Sequence, residues 1–192
     1  MKKKSCAWPG TDKLMQEYHN KEWGVPLHDD TKLFEFMVLD AFQAGLSWAI
    51  VLKKREAFRK AFSNYDVKKI AKYDEKKVEQ LLQNEGIIRN RMKIQAAIKN
   101  AKAFLVVQKE FGSFNKYIWQ FTNNKPIINK WKIMGTIPAK SDISDIMSND
   151  LKKRGFSFVG STICYSFMQA AGMVNDHVVD CFRYKEVQKI DN

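Results

Sequence analysis

LKKRGFSFVGSTICYSFMQAAG, residues 151–172, gives the clearest indication of fold in this sequence, because it reads as a helix, a tight turn and a second helix. Gly155 is expected to end the first helix, and Ser161 to start the second. No acidic residue occupies the first turn of the second helix, so its unpaired backbone N–H groups near Gly160 and its positive dipole end can bind a phosphate. The alternative is a compact join between two helices that binds nothing.

The charge of the chain favours a polyanionic partner. Lys and Arg number 33 against 21 Asp and Glu, which leaves a formal net charge of +12. Such a surface attracts nucleic acid. Gly160, Ser161 and Lys153 are the candidate contacts to DNA, with Lys152 and Arg154 close by. Basic residues cluster in three segments, 52–60, 87–93 and 151–155, which predicts a basic face. The alternatives are solvated helix faces and a lysine-rich composition that only keeps the protein soluble.

Length and composition predict one globular domain. A chain of 192 residues with 45% hydrophobic content suits a single domain, or two small lobes that share one core. No apolar run is long enough to span a membrane, and the basic N-terminus lacks the apolar stretch of a signal peptide. Three cysteines are too few for a disulfide framework. We therefore expect residues 1–192 to form one cytoplasmic domain, monomeric and without disulfides.

Hydrophobic periodicity predicts an all-α chain, since apolar residues recur at helical spacing almost everywhere. The expected helices cover 11–22, 30–44, 47–62, 66–72, 74–84, 90–111, 113–122, 142–153 and 161–173. The residues expected to cap their starts are Asp30 or Thr31, Ser47, Asp66, Asp74, Ser113 and Ser141. The glycines expected near their ends are Gly24, Gly86, Gly112, Gly135, Gly155 and Gly172. Residues 123–142 are expected to be a loop that joins the two lobes, and residues 1–4 and 185–192 frayed termini.

The segment VNDHVVDC, residues 174–181, carries half of a possible metal site. His177 and Cys181 are separated by three residues, and Cys6 and His19 are the best candidates for the other half. Together the four residues make a Cys2His2 set, which suits one structural Zn2+ held tetrahedrally with no position left for water. The alternative is that Cys6 is an exposed thiol and His177 an ordinary helix histidine. Cys164 lies in an apolar run and is expected in the core.

Aromatic residues near the N-terminus could form a pocket for a planar ring. Trp8, Tyr18, Trp23 and Trp48 fall within the first 50 residues, although most aromatic residues of a small helical domain belong to the core. In the same region Asp40 shares a helix face with apolar residues. A buried carboxylate there must cap a backbone, pair with a cation or bind a ligand. Its position in the middle of a helix makes capping the weakest of these explanations.

Several motifs together resemble the 3-methyladenine DNA glycosylase I family, from about Cys6 to Cys181. They are YHNKEWGVP (18–26), QAGLSW (43–48), LKKRGFSFVGSTICYSFMQAAGMVNDH (151–177) and the Cys6, His19, His177 and Cys181 set. Their shared order and spacing are more specific than any one motif. The resemblance implies a helix-hairpin-helix DNA glycosylase fold with a zinc site that joins the terminal segments. It also implies a repair enzyme that flips 3-methyladenine out of alkylated duplex DNA and hydrolyses its N-glycosidic bond, leaving an abasic site.

The resemblance also implies roles for individual residues. Trp48 corresponds to the stacking ring, Tyr18 to a residue that hydrogen-bonds the base, Trp8 and Trp23 to further pocket wall, and Ser166 to a weaker candidate. Asp40, the candidate catalytic residue, stands where the family usually has Glu, and Met15 where it has a further tyrosine. Asn175 occupies the position of the catalytic Asp in related helix-hairpin-helix glycosylases. Weak acid catalysis suffices for a base that N3 methylation has already made cationic.

A second function from a different class fits the charge, the metal set and the hairpin equally well. It is a zinc-stapled module that binds damaged or bent duplex DNA without cutting any bond. Tyr18, Asp40 and Trp48 distinguish the two functions, because a protein that binds only the DNA backbone has no need of an aromatic pocket with a carboxylate.

Overall fold

Helices make up most of residues 4–190, the part of the chain that the computed structural model describes. They are α1 (Lys13–Lys21), α2 (Asp30–Gln43), α3 (Trp48–Ala61), α4 (Val67–Ile70), α5 (Glu75–Leu82), α6 (Arg91–Phe111), α7 (Phe114–Trp119), α8 (Asp142–Lys153), α9 (Ser161–Ala170) and α10 (Phe182–Val187). Short 3-10 helices occupy Ser63–Tyr65, Gln120–Thr122 and Met134–Thr136. Two short strands, β1 (Ile127–Ile128) and β2 (Val174–Asn175), pair in parallel, with Ile127 opposite Val174.

The expected mostly helical chain is confirmed, and nine of the ten described α-helices lie where the periodicity places them. Helix α10, the strands β1 and β2, and the 3-10 helices Ser63–Tyr65 and Met134–Thr136 were not expected. Helix α10 falls partly in the segment expected to be frayed, where the amide of Phe182 donates to the carbonyl of Lys4 and so joins the two chain ends. Strand β1 lies inside the expected loop 123–142, and two residues are too few to show an alternating pattern. Residues 1–3 and 191–192 lie outside the description.

Side-chain caps explain most of the helix starts. The predicted caps Asp66, Asp74, Ser113 and Ser141 each accept a hydrogen bond from a backbone amide two or three residues into the helix. The prediction for α2 was wrong, because Asp29 is the residue that caps it. Asp30 instead accepts from the amides of Phe114 and Asn115, at the start of α7. Ser47 precedes α3 without a capping hydrogen bond from its side chain.

Some of the glycines expected near helix ends lie there, and one does not. Gly112 ends α6 in the left-handed conformation, and Gly155 and Gly172 follow α8 and α9 with φ of +89° and +68°. Gly135, by contrast, lies inside a 3-10 helix and ends none of the predicted helices. Gly172 has a second reason to be glycine, because a Cβ there would lie 2.2 Å from the carbonyl carbon of Val25. The end of α9 therefore meets the chain that follows α1 backbone to backbone.

Helix α2 lies in the centre of the hydrophobic core. Its ten residues from Leu33 to Phe42 are all buried, and it contacts α3, α6, α7 and α9. Helix α8 packs against α9, and α4 and α5 pack against α6. Because α2 is covered on every side, any polar residue on it must find a partner or lie beside a cavity.

Two of the three basic segments contribute to the interior as well as to the surface, which corrects the prediction of a simple basic face. Arg55 is buried, and its Nε donates to Oε1 of the buried Glu35 over 2.7 Å. Lys93 is also buried, and its Nζ donates to the carbonyls of Phe42 and Ala44 over 2.8 and 2.6 Å. Burial lowers the pKa of Lys93. This lysine caps the C-terminal end of α2, where the helix dipole favours a cation.

Among the described residues, no helix is long and apolar enough to cross a membrane.

We expect Gly172→Ala to lower stability far more than Gly155→Ala. Both replacements place an L residue at positive φ, which costs about 1–2 kcal/mol. Nothing lies within 4 Å of a Cβ at Gly155, whereas at Gly172 the Val25 and Pro26 backbone must move. We therefore expect a further loss of roughly 2–3 kcal/mol at Gly172. Urea unfolding of both variants measures the difference, and equal midpoints would contradict the close approach.

Candidate active site and metal-binding cluster

A cavity of about 230 Å3 opens between α1, α2 and α9. Its lining comprises Trp8, Tyr18, Trp23, Asp40, Gln43, Trp48, Met134, Ile137, Ser166, Gln169 and Ala170. All six residues predicted for catalysis or base binding, Trp8, Tyr18, Trp23, Asp40, Trp48 and Ser166, therefore lie around one space. The volume suits one small planar molecule rather than an extended ligand.

Aromatic rings form one side of this cavity. The centroids of Trp8 and Trp23 lie 5.2 Å apart with planes at 67°, and those of Tyr18 and Trp48 lie 5.2 Å apart at 48°. Among the described residues, the buried indole N–H groups of Trp8 and Trp48 have no hydrogen-bond partner. Unpaired buried donors are rare in folded proteins. Both tryptophans line the cavity, so their N–H groups could donate to a molecule that enters it.

Asp40 places a carboxyl group beside these rings. Its side chain is 4% exposed, and its Oδ2 has no hydrogen-bond partner among the described residues. Burial raises the pKa of Asp40 well above its usual value, because the charged form loses its hydration. Of the three explanations given for a carboxylate here, capping and ion pairing are both excluded for residues 4–190. Ligand binding by this carboxyl group remains a hypothesis.

Tyr18 stays a neutral hydroxyl next to this acid. Burial, and then the nearby Asp40, raise the pKa of Tyr18 well above its usual value. Met15, which stands where the family has another tyrosine, is half-buried and does not line the cavity.

Five residues of the lining were not predicted, and one of them is Ala170 at the end of α9. Met134 and Ile137 come from the irregular segment that joins β1 to α8, where no periodic pattern points to a site. Gln43 and Gln169 lie on α2 and α9. Gln169 follows the predicted Ser166 by three residues, so the two share a helix face, and this spacing could have identified Gln169.

Asn175 is structural. Its Nδ2 donates to the carbonyl of Tyr184 and its Oδ1 accepts from the amide of His177. It does not line the cavity.

The four predicted metal ligands converge in a buried cluster. Candidate donor atoms of Cys6, His19, His177 and Cys181 all lie within 4.8 Å of one another. Nδ1 of His177 is 3.1 Å from Nε2 of His19, 3.7 Å from Sγ of Cys6 and 3.6 Å from Sγ of Cys181. The cluster could hold one metal ion, and Cys6 is buried in it rather than exposed. The residues come from both ends of the described chain.

The protonation of the cluster suits metal binding. Burial lowers the pKa of His177, which keeps its imidazole neutral. The Trp23 carbonyl can only accept, so Nε2 of His177 donates to it over 3.0 Å and Nδ1 keeps its lone pair toward the cluster. The hydrogen bond between the two thiols lowers the pKa of Cys181 and raises that of Cys6, so Cys181 is the first of the pair to become a thiolate. Cys164 is buried outside the cluster, as expected.

The turn between α8 and α9 presents an open helix N-terminus. Gly160 is the N-cap of α9, and nothing lies within 4 Å of a Cβ built on it. The hydroxyl of Ser161 forms a hydrogen bond with that of Ser144, while Lys152 and Lys153 are exposed.

Arg154 does not join this basic group, although its place in the sequence suggested that it would. Its Nε donates to Asp150 and its Nη1 to Glu110, both over 2.8 Å. Its guanidinium also lies over the rings of Phe111 and Tyr117. Arg154 is therefore engaged within the protein, and the exposed cations at the hairpin are Lys152 and Lys153.

Two characterised relatives match almost the whole chain. The DNA-3-methyladenine glycosylase of Haemophilus influenzae is 48% identical over 176 residues, which cover 92% of this chain and 95% of the relative. The DNA-3-methyladenine glycosylase 1 of Escherichia coli is 50% identical over 179 residues, which cover 93% and 96%.

Solved structures of 3-methyladenine DNA glycosylase I also match this chain. A crystal structure of 3-methyladenine DNA glycosylase I superposes with a TM-score of 0.91 at 50% identity, covering 93% of this chain and 98% of that one. A tyrosine-to-phenylalanine variant of 3-methyladenine DNA glycosylase I, in complex with 3-methyladenine, superposes with 0.90 at 32% identity, covering 93% and 96%. The family model for methyladenine glycosylase matches residues 8–184. The chain belongs to the methyladenine glycosylase family.

Proposed function

We propose that this chain is a DNA repair enzyme that excises 3-methyladenine from alkylated DNA. It hydrolyses the N-glycosidic bond and leaves an abasic site. The observation that carries the proposal is one cavity lined both by four aromatic residues and by a buried carboxyl group whose Oδ2 has no partner among the described residues. Family membership and the relatives named for 3-methyladenine support it.

The cavity can bind one flipped base by stacking and hydrogen bonds. Trp48 stacks on the ring, and Tyr18 offers a hydroxyl beside it. Trp8 and Trp23 form further wall, and Ser166 adds a hydroxyl from α9. A base extruded from the duplex can reach these groups, whereas a stacked base cannot.

Asp40 explains a preference for a cationic base. In the unliganded protein its raised pKa favours the neutral acid. A nearby positive charge lowers the pKa of a carboxyl group, so entry of the methylated base turns Asp40 into its counter-ion. The electron-rich faces of Trp48 and Trp8 favour the same charge. Neutral adenine lacks both interactions and gains less from entering the cavity.

The reaction needs little further assistance from the protein. N3 methylation puts a positive charge on the base, so the departing base leaves as a neutral molecule. Asp40 stabilises the charge that the bond cleavage redistributes, and the rings exclude bulk water from the base. A reaction that needs little acid–base catalysis is consistent with Asn175, because stronger acid–base catalysis would require a carboxylate at that position.

Zinc is the metal we propose for the Cys2His2 cluster. Tetrahedral coordination with bonds of about 2.0 Å to nitrogen and 2.3 Å to sulfur separates two nitrogens by about 3.3 Å and nitrogen from sulfur by about 3.5 Å. The distances of 3.1, 3.7 and 3.6 Å around Nδ1 of His177 approach these values. Four protein ligands leave no site for water, so the ion would be structural. It would join the segment at Cys6 to the segment at Cys181.

For DNA binding we propose that α8 and α9 act as a helix-hairpin-helix motif. Amides near Gly160 and Ser161 bind a phosphate of double-stranded DNA, and Lys153 adds charge. We further propose that residues 1–192 form one domain of two lobes that works as a monomer in the cytoplasm, where its three unbridged cysteines stay reduced.

The non-catalytic alternative predicts DNA binding without base release. Incubation with methylated duplex DNA, followed by chromatography of the released bases, separates the two functions. We expect free 3-methyladenine and a matching number of abasic sites. Binding of the duplex without either product would establish the non-catalytic module instead.

In the same assay, Asp40→Asn should excise 3-methyladenine on the order of tenfold or more slowly, because the counter-ion is lost. Asp40→Glu, which restores the family's usual residue, is the matched control and should retain activity. Affinity for undamaged duplex should not change in either variant. Normal excision by Asp40→Asn would refute the role of its charge.

Stability distinguishes this role from a structural one. Because the folded pKa of Asp40 is raised, the unfolded chain loses this proton first as pH rises above about 3.9. The wild type therefore loses stability relative to Asp40→Asn between that pH and the folded pKa of Asp40. At neutral pH the variant should melt at or above the wild-type temperature. A variant that melts early would indicate a buried ion pair instead.

We expect purified protein to contain one zinc ion per chain, measured by elemental analysis. Cys181→Ser should lose the metal and about 3 kcal/mol or more of stability, which lowers Tm by roughly 10 °C. Cys164→Ser is the matched control, since Cys164 is equally buried but outside the cluster. It should keep its zinc. Protein purified without chelator that holds no zinc would exclude the assignment.

Replacing Gly160 should weaken binding to duplex DNA of any sequence. Gly160 has φ of −62° and open space around a Cβ. The Gly160→Val variant should therefore fold without backbone strain. The larger side chain blocks the approach of a phosphate, and Gly160→Ala should have an intermediate effect. Fluorescence anisotropy with duplexes at several salt concentrations measures the loss. Normal duplex affinity in Gly160→Val would show that phosphate does not bind at this turn.

A further inference from the structure

Asp176 is a buried carboxylate that accepts four hydrogen bonds. It is 0% exposed. Its Oδ1 accepts from Nδ2 of Asn129 and Nε1 of Trp131, both over 2.7 Å. Its Oδ2 accepts from the hydroxyl of Tyr165 and Nε2 of Gln169, both over 2.8 Å. Four donors on one buried group show that its surroundings are organised around it.

Asp176 determines which way the Gln169 amide points. The two ends of a glutamine amide differ, because the NH2 group donates and the carbonyl accepts. Oδ2 of Asp176 accepts, so the NH2 group of Gln169 must face it. The Tyr165 hydroxyl stays protonated and donates to the same oxygen, because burial and then Asp176 hold the pKa of Tyr165 above its usual value. The amide of Gln169 is thereby held in one orientation.

The side-chain carbonyl of Gln169 is the end of the amide that does not face Asp176. Gln169 lines the cavity, and no described residue donates a hydrogen bond to its Oε1. Its backbone is held as well, since the amide of Gly24 donates to the Gln169 carbonyl over 3.0 Å. A hydrogen-bond acceptor on a rigid wall discriminates between ligands that present a donor and ligands that present an acceptor.

We propose that Gln169 determines specificity for a 6-amino purine, with Asp176 as its positioning residue. Oε1 of Gln169 accepts a hydrogen bond from the exocyclic 6-amino group of the base. A base with a 6-oxo group would place oxygen against oxygen in the same place. This inference rests on the proposed function, because it assumes that the cavity binds a methylated purine. Gln169 on α9 would be a second residue that contacts the base directly, in addition to Asp40 on α2.

The experiment compares two free bases, 3-methyladenine with its 6-amino group and 3-methylhypoxanthine, which has a 6-oxo group and one additional ring N–H. Quenching of the fluorescence of the cavity tryptophans gives the Kd of each. We expect the wild type to prefer 3-methyladenine by on the order of tenfold. Gln169→Met keeps the length of the side chain but removes the acceptor, so the preference should fall about fivefold or more.

Asp176→Asn tests the positioning role. Trp131 can only donate, so it keeps the new carbonyl on its side, and the new NH2 group faces Gln169. The Gln169 amide must then turn its carbonyl away from the base and its NH2 group toward it. The preference of Asp176→Asn for 3-methyladenine should therefore be lower than that of Gln169→Met, and its relative affinity for the 6-oxo base should be higher. Tyr165→Phe is the matched control, because it removes another donor to the same oxygen and leaves the Gln169 contact in place.

The outcomes are distinct. Gln169→Met binding both bases with the wild-type preference would overturn the inference, and so would a folded Asp176→Asn that behaves like Tyr165→Phe. If Asp176→Asn does not fold, the comparison of Gln169→Met with the wild type still shows whether Gln169 determines the preference between the two bases. A wild type that binds neither base and releases none from methylated DNA would refute the proposed function itself. Release of 3-methyladenine by both the wild type and Gln169→Met, with unchanged preference, refutes only the inference.

Discussion

The burial of α2 on every side is the constraint on which the site depends. Ten consecutive residues, Leu33 to Phe42, are inaccessible or nearly so, and the surrounding helices are positioned by contact with them. A fully buried helix leaves no solvent for a carboxyl group on its surface. Burial therefore raises the pKa of Asp40, whose Oδ2 has no partner among the described residues, and the side chain lines a cavity. The proposed preference for a cationic base follows from this arrangement, because a positive charge is the partner that this carboxyl group lacks.

Buried polar residues fix the positions of α2 and α9, the two helices that line the cavity. Lys93 caps the end of α2 just before the segment that leads to Trp48, and Asp176 holds α9 through Tyr165 and Gln169. Each of these charged groups would be costly in the interior without its hydrogen bonds. Their partners are backbone carbonyls and side chains of fixed position, so the same contacts that satisfy the charges also align the walls.

Much of the fold was predictable because its determinants are local. The caps at Asp66, Asp74, Ser113 and Ser141 and the turn at Gly155 follow from neighbouring residues alone. The metal set and the aromatic residues were also identifiable, since Cys, His and Trp are rare enough to stand out. Lys93, Gln169 and Met134 were missed as structural or pocket residues for the opposite reason. Their environments are assembled from segments distant in sequence, and a lysine or glutamine on a helix looks the same whether it is exposed or buried.

The Cys2His2 cluster and the cavity are built from neighbouring residues of the chain. His19 follows the pocket residue Tyr18, and His177 follows Asp176. Nε2 of His177 donates to the carbonyl of Trp23, whose ring also lines the cavity. Any ion held by the four ligands would thus restrain an aromatic wall and the carboxylate that orients Gln169. A closed site without an open coordination position can therefore serve catalysis through preorganisation, because a cavity that already has the shape of its ligand spends no binding energy on ordering its walls.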